Sequence, residues 1–152
     1  MVDVVSPAQR SRMMAGIQGR NTKPELTVRR MLFAMGYRFR LHRRDLPGAP
    51  DIVMPGRKVV IFVHGCFWHM HQGCRLSKMP TTRPEFWTTK LEANVERDRR
   101  AVAKLQALGW RVLWIWECST RDIHAASDLQ AAIRAWIEGG NQLGELGAPS
   151  RS

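Results

Sequence analysis

The chain of 152 residues fits one domain with one hydrophobic core, and its 44% hydrophobic content excludes global disorder. The formal net charge of +11 is uneven, because residues 1–44 hold ten Lys and Arg against two acids whereas residues 117–152 hold three against five. Such an excess favours a polyanionic partner, nucleic acid before an acidic membrane, over a basic surface that serves only solubility.

Neither secretion nor membrane insertion is indicated. No secretory hydrophobic segment follows Met1, and no apolar run approaches the ~20 residues that span a bilayer. We therefore expect a cytosolic protein without a membrane partner. The three Cys of the chain argue against a disulfide framework in that reducing compartment, which leaves metal ligation or inert burial.

Residues 1–21 form a basic and polar segment with Arg10, Arg12 and Arg20. Gly16 and Gly19 weaken any helix there. The segment is either a frayed terminus or an arm that lies on DNA, and the arginine density weighs the two equally.

The next elements alternate between helical and strand patterns. Thr22-Lys23-Pro24-Glu25 has the form of a capping box and predicts a helix that ends at Gly36. Alternation and turn residues then predict three strands, a long helix, a fourth strand and a last helix, at residues 37–41, 51–54, 58–63, 85–108, 110–116 and 123–137. Gly, Ser and Pro are frequent in residues 139–152, which we expect to form a flexible tail.

This order predicts a single α/β domain over residues 22–138, with a small mixed sheet flanked by helices. The second and third strands are expected to pair as a hairpin across Pro55-Gly56. The third strand and the strand after the long helix can pair in parallel across that crossover.

A cluster of His and Cys follows the third strand. Cys66, His71 and Cys74 have the spacing C-x4-H-x2-C, and Cys118 can supply a fourth ligand from the end of a neighbouring strand. Three Cys and one His form an ordinary structural zinc set with no open position, so the ion would shape the loop over residues 64–75 without activating water. The alternative is three buried or idle cysteines in a His-rich loop.

His64 and His69 remain when the zinc set is removed. Asp51 begins one strand and His64 ends its hairpin partner, so the two ends are expected to lie close together. A carboxylate there can hold Mg²⁺ beside a phosphate, and a nearby His can accept a proton from water. A carboxylate facing a His can also fix its tautomer, and Glu25 is the candidate for that part. The alternative makes Asp51 a turn residue and both His ordinary polar groups.

Aromatic residues interrupt this polar cluster. Phe67 and Trp68 lie between the metal ligands, and Phe86 and Trp87 follow a second basic loop. Such rings can enter the base stack of a duplex and kink it, at a cost of roughly a few kcal/mol that new contacts offset. The alternative is that they cover the zinc loop as core.

The motifs together resemble one family, the very-short-patch repair (Vsr) DNA mismatch endonucleases, from about Asp3 to Arg121. The residues that carry the resemblance are Pro47-Gly48-x-Pro50-Asp51, Phe62-x-His64-Gly65-Cys66-Phe67-Trp68-His69-x-His71, Thr82-Arg83-x-Glu85-Phe86-Trp87, Asn94-x-Glu96-Arg97-Asp98 and Gly109-Trp110-Arg111-Val112-Leu113-x-x-Trp116-Glu117-Cys118. The resemblance implies a fold similar to the PD-(D/E)xK restriction endonucleases. It also implies a Mg²⁺-dependent nick in double-stranded DNA, 5′ to the T of a T:G mismatch left by deamination of 5-methylcytosine.

The resemblance also assigns roles to residues. Asp51 and the backbone carbonyl of Val63 are expected to bind Mg²⁺. His69 is the expected general base, with His64 and Glu25 as supporting active-site groups. The remaining assignments are structural zinc ligands, at Cys66, His71, Cys74 and Cys118, and DNA-intercalating residues, at Phe67, Trp68, Trp87 and Met14 of the arm. We expect a monomer on the bacterial nucleoid, and contact with other repair proteins stays open.

This chain departs from the family pattern at a few positions. Val63 stands where some members have Thr, which is harmless if the backbone carbonyl is the metal ligand. Met70 and Gln72 replace further His residues, and Gly73 is an extra residue before Cys74. Two alternatives to the mismatch endonuclease remain, a zinc-stabilised DNA-binding protein without catalysis and a nuclease without mismatch preference.

Overall fold

The computed structural model describes residues 22–121 and 126–147. The helices are α1 (Lys23–Ala34), α2 (Pro84–Ala107), α3 (Glu117–Arg121) and α4 (Ala126–Glu138). The strands are β1 (Arg40–Leu41), β2 (Ile52–Met54), β3 (Val59–His64), β4 (Arg111–Trp116) and β5 (Leu143–Leu146). The predicted arm over residues 1–21, Met14 included, lies outside the described residues, as do residues 148–152 of the predicted tail.

The strands form one five-stranded mixed sheet in the order β1-β2-β3-β4-β5. β2 and β3 are antiparallel and joined by a short 3-10 turn at Pro55–Arg57, which confirms the predicted hairpin. β3 and β4 are parallel, with Val63 opposite Ile115 and His64 opposite Trp116, so the predicted crossover pairing is also confirmed. β3 is therefore the central strand, and its last residues lie beside the end of β4 and the residue that precedes β2.

Helix α1 begins at the predicted cap. The Thr22 hydroxyl accepts the Glu25 N–H at 3.4 Å, and Pro24 occupies the first turn, where its missing N–H costs nothing. Val28, Met31 and Leu32 then lie on one face of the helix and are buried. Glu25 is buried on the same helix, so the cap delivers a carboxylate into the interior.

The two faces of the sheet have separate cores, because side chains alternate along each strand. Val59 and Ile61 pack with α1 and α4, whereas Val60 and Phe62 pack with α2. Each fully buried aliphatic side chain contributes about 2 kcal/mol. The same alternation sends Val63 toward the α1 core and His64 toward α2.

The predicted flexible tail is wrong in part, because Leu143–Leu146 form strand β5. This strand pairs in parallel with β4, with Val112 opposite Leu143 and Ile115 opposite Leu146. The open edge of β4 offers a ladder of hydrogen bonds that a polar tail sequence can still use. Residues 143–146 of the predicted tail are thus part of the sheet.

Among residues 22–121 and 126–147, no helix has the length and apolar character that a membrane crossing needs.

Candidate active site and metal cluster

Asp51 lies immediately before β2 and beside the end of β3. Its Oδ2 accepts the backbone N–H of Val63 at 2.8 Å. The pairing of β2 with β3 stops at Ile52 and Ile61. Val63 therefore lies beyond the paired residues, beside Asp51. Because the N–H and C=O of one strand residue point the same way, the Val63 carbonyl also faces the Asp51 side. Asp51 and this carbonyl are thereby aimed at one space.

Burial dominates the electrostatics of Asp51. Desolvation raises the pKa of its carboxyl to about 7, and the nearby Glu25 carboxylate adds to that rise. The Val63 N–H and the Arg29 guanidinium act in the opposite direction. A bound cation would stabilise the ionised form of this buried carboxylate, and Mg²⁺ prefers oxygen donors. The residues present therefore fit a divalent cation.

Glu25 reaches Asp51 from α1. Its carboxylate pairs with Arg29 one turn later, and its Oε2 lies 2.7 Å from Nε2 of His42. One ligand atom each from Glu25, His42 and Asp51 lie within 4.8 Å of one another. His42 also donates its backbone N–H to the Asp51 carbonyl at 3.0 Å. We call Glu25, His42 and Asp51 the carboxylate group.

His42 is a residue of this group that sequence reasoning missed. Its position in His-Arg-Arg-Asp predicts only a polar turn. Its φ of 49° lies in the left-handed region, which His adopts more readily than most residues. This backbone conformation turns the His42 side chain out of the pattern expected for a polar turn, and a single sequence does not reveal it.

His64 and His69 stack on the α2 side of the sheet. Their ring centroids are 3.7 Å apart, with the planes 5° from parallel. One ring nitrogen each of His64 and His69 and a carboxylate oxygen of Asp98 lie within 4.8 Å of one another. Burial and the neighbouring His69 hold the pKa of His64 well below its ordinary value.

The carboxylate that faces His69 is Asp98, and Glu25, the candidate for a carboxylate that faces a His, contacts His42. Nδ1 of His69 and Oδ2 of Asp98 are 2.5 Å apart. Asp98 lies on α2, where the helical pattern predicts an outward and solvated side chain. The structure thus brings the predicted catalytic residues together in two groups, Glu25 with Asp51 and His64 with His69.

The predicted zinc ligands form a buried cluster. The sulfur atoms of Cys66, Cys74 and Cys118 and one ring nitrogen of His71 lie within 4.8 Å of one another. Cys66 and His71 are 0% and 3% exposed, and no cysteine is in a disulfide. Three thiol groups and one imidazole that converge away from water are the donor set of a tetrahedral structural zinc site. The residues present therefore fit a metal ion.

Gly73, the extra residue, assists this convergence. Its φ is 68°, a left-handed conformation that costs Gly little, and it lets the chain turn back before Cys74. The insertion therefore leaves Cys74 in the cluster with the other three residues.

The predicted intercalating rings pack on one another. Phe67 meets Trp68 and Trp87 edge to face, with centroids 5.0 and 5.6 Å apart. Phe86, at 46% exposure, extends the set from Trp87 at 5.3 Å. Asn94 on α2 donates its side-chain N–H to the Trp68 carbonyl at 3.1 Å, which fixes the loop that carries the rings. The rings form an aromatic ridge between the loop that carries His69 and the start of α2.

Comparison with known proteins gives a consistent result. The family model of the DNA mismatch endonuclease Vsr matches residues 2–75. The type II nicking enzyme V.XorIIP of Xanthomonas oryzae pv. oryzae is 51% identical over 134 residues, which are 88% of this chain and 96% of that protein. The DNA mismatch endonuclease Vsr of Escherichia coli K12 is 46% identical over 141 residues, which are 91% of this chain and 90% of that protein.

Among solved structures, the catalytic domain of the homing endonuclease I-Bth0305I matches with a TM-score of 0.52 at 22% identity. The match covers 76% of this chain and 94% of that domain. At this identity the likeness concerns the fold, and it agrees with the nuclease architecture expected from the sequence.

Proposed function

Because the chain belongs to the Vsr family of DNA mismatch endonucleases, we propose that it nicks duplex DNA 5′ to the T of T:G mispairs. Such mispairs arise when 5-methylcytosine deaminates, and the nick starts very short patch repair. The observation that carries the proposal is the buried Asp51 carboxylate, hydrogen-bonded to Val63 at the end of the central strand. A protein that only binds DNA has no need of a buried acid there.

Asp51 and the Val63 carbonyl are the groups that would hold Mg²⁺. The ion would supply charge stabilisation at the scissile phosphate and lower the pKa of bound water. Glu25 adds negative charge beside Asp51, and Arg29 and His42 hold the Glu25 carboxylate in place. The carboxylate group thus sets both the position and the charge of the cation site.

His69 is the proposed general base. Asp98 accepts the hydrogen of Nδ1, so the tautomer that this contact favours leaves Nε2 free to take a proton from the attacking water. The neutral ring of His64 stacks on His69 and restricts its rotation. Burial and the neighbouring His69 lower the pKa of His64, so the stacked His64 ring stays neutral beside the proposed base.

The cluster of Cys66, His71, Cys74 and Cys118 is proposed to bind structural Zn²⁺. Four protein ligands leave no open position for water, so the ion would fold the loop and take no part in the chemistry. His69 lies within that loop, between the ligands Cys66 and His71. The zinc is thereby expected to position the base.

Phe67, Trp68 and Trp87 are proposed to enter the base stack at the mismatch, with Met14 of the arm as a further contact. A mispaired step costs less to unstack than a matched one, so insertion of these rings would favour the mismatch. The net charge of +11 favours binding to the DNA backbone. We propose a monomer that acts in the cytoplasm, on the nucleoid.

Nicking of T:G and fully matched duplexes of the same sequence tests the proposal, with wild type and Asp51→Ala in Mg²⁺. We expect the wild-type protein to cut only the T-containing strand of the T:G duplex and the variant to cut neither. Equal cutting of the matched duplex would refute the mismatch preference. Undiminished cutting by Asp51→Ala would refute the mechanism, and binding without any cutting by wild type would favour the non-catalytic alternative.

A further inference from the structure

Strand β5 ends beside the metal cluster. Leu146 pairs with Ile115 of β4, and the next residues, Gly147 and Trp116, are in contact. Cys118 follows Trp116 by two residues. A segment whose composition predicts a tail is therefore in position to contact the groups that surround the ligands.

Gly147 lies against Cys118. Its carbonyl oxygen is 3.7 Å from the Cys118 sulfur. Its φ of +101° belongs to the region that favours Gly, and an added Cβ would stand 3.0 Å from the Cβ of Trp116 and 3.1 Å from that of Ser119. The strand approaches the cluster this closely only because the residue has no side chain.

Glu145 is connected to the cluster through Trp116. Its Oε1 accepts the indole N–H of Trp116 at 2.6 Å. The Trp116 ring stacks on the His71 ring, with centroids 4.1 Å apart and planes 6° from parallel. The Glu145 carboxylate thus holds the Trp116 indole in place, and the stacked indole holds the plane of the His71 ring.

The two nitrogens of His71 have different surroundings. Nδ1 lies 3.5 Å from the Cys118 sulfur, on the ligand side. Nε2 is buried and has no hydrogen-bond partner among residues 22–121 and 126–147. A His that binds metal normally presents its other N–H to a carboxylate or carbonyl, which fixes the tautomer. Glu145 lines the same cavity of 740 Å³ as His71 and Trp116.

We propose that β5 supplies the outer shell of the metal cluster. Glu145 is a positioning residue that orients the His71 ring through Trp116. Gly147 closes the Cys118 side. The inference rests on the proposed zinc site and adds that zinc affinity depends on residues 143–147, which contribute no ligand.

Zinc affinity of the full chain tests this, measured by competition with a chromophoric chelator for wild type, Glu145→Gln and Glu92→Gln. Glu145→Gln keeps the size of the side chain and removes the charge. Glu92 lines the same cavity from α2, so Glu92→Gln removes an equal charge away from Trp116. We expect Glu145→Gln to weaken zinc binding about tenfold to a hundredfold and Glu92→Gln to leave it unchanged.

The Co²⁺-substituted protein gives a second readout. We expect Glu145→Gln to keep the absorption bands of a tetrahedral thiolate site, which shows that the ligands are intact and the fold is retained. Equal zinc affinity in wild type and Glu145→Gln, or equal weakening by Glu92→Gln, would overturn the inference and leave the zinc site standing. Wild type that binds no zinc would overturn the site itself.

Discussion

The carboxylate group and the cysteine cluster are held in different ways. Asp51 and Val63 lie at the end of the β2–β3 hairpin, where ladder hydrogen bonds set their positions. The cysteine cluster lies in a loop whose own backbone contacts are isolated turns, such as His71 N–H to the Cys66 carbonyl at 2.9 Å and Cys74 N–H to the His71 carbonyl at 3.3 Å. Regular secondary structure therefore positions the carboxylate group. The cysteine cluster depends instead on the side chains that converge there.

This difference assigns different work to the two proposed metal ions. The sheet and helix α1 position the carboxylate group without a cation, so Mg²⁺ would change the chemistry and not the fold. The loop has little regular structure of its own, so zinc would contribute folding free energy. His69 belongs to the loop, and catalysis should therefore depend on both ions, directly on one and indirectly on the other.

The largest expected effect is that of Asp51→Asn on activity. Loss of the carboxylate removes several kcal/mol of charge stabilisation, which corresponds to a rate lower by about a thousandfold. Stability should not fall, because burial raises the pKa of Asp51 to about 7 and the ionised carboxyl is costly above that pH. The measurements are single-turnover nicking and the melting temperature at pH 8 without Mg²⁺. A variant that melts well below wild type would show that Asp51 is structural.

The sign of that pH dependence follows from the raised pKa. The folded protein retains the Asp51 proton from pH 4 to about 7, where the unfolded chain has lost it. Without Mg²⁺, wild type should therefore lose stability relative to Asp51→Asn as pH rises through this window. Parallel melting curves for the two proteins across the window would contradict the raised pKa.

Cys66→Ser should have the opposite profile, with stability as the primary loss. Cys66 is fully buried, and its thiolate would be one of four zinc ligands. We expect zinc to be lost and stability to fall by several kcal/mol, which lowers the melting temperature by about 10 °C. Nicking falls with it because the loop no longer holds His69. Metal analysis and calorimetry check this result, and a zinc-free variant that melts with wild type would show that the loop folds without metal.

The sequence predicts those parts of the molecule that depend on local pattern. The hairpin, the central strand and the parallel partner after α2 follow from period-2 alternation and turn residues. The cysteine cluster follows from spacing, because Cys66, His71 and Cys74 lie within nine residues of one another. These features need no knowledge of distant contacts.

The features that the sequence does not predict all depend on contacts between residues far apart in the chain. Asp98 meets His69 from 29 positions away, and His42 meets Glu25 from 17. Strand β5 reads Leu-Gly-Glu-Leu, with no β-branched or aromatic residue, so its intrinsic preference for a strand is weak. Its strand form comes from the open edge of β4, which is a property of the tertiary structure.

Asp98→Asn tests how far His69, the proposed general base, depends on its contact with helix α2. The amide presents either an oxygen or an N–H to Nδ1 of His69, so the required tautomer is no longer fixed. We expect nicking to slow by roughly a hundredfold, within the range of general-base catalysis, while DNA affinity and zinc content stay at wild-type values. Glu96→Gln, at a more exposed position of the same helix, is the matched control and should nick at the wild-type rate. Equal slowing in both variants would mean that helix charge, not orientation of His69, matters.

The smallest effect is expected from Val63→Thr. This change tests whether residue 63 contributes to the proposed cation site through its backbone or through its side chain. The contact of Val63 with Asp51 is made by its backbone N–H, and its side chain packs toward the α1 core. The added hydroxyl should therefore cost about 1 kcal/mol of stability through burial and change the nicking rate by less than about twofold. A clear gain in rate, or a lower Mg²⁺ requirement, would mean that the position contributes a side-chain ligand. The cation site would then depend on residue 63 itself, and the sheet backbone alone would not suffice to build it.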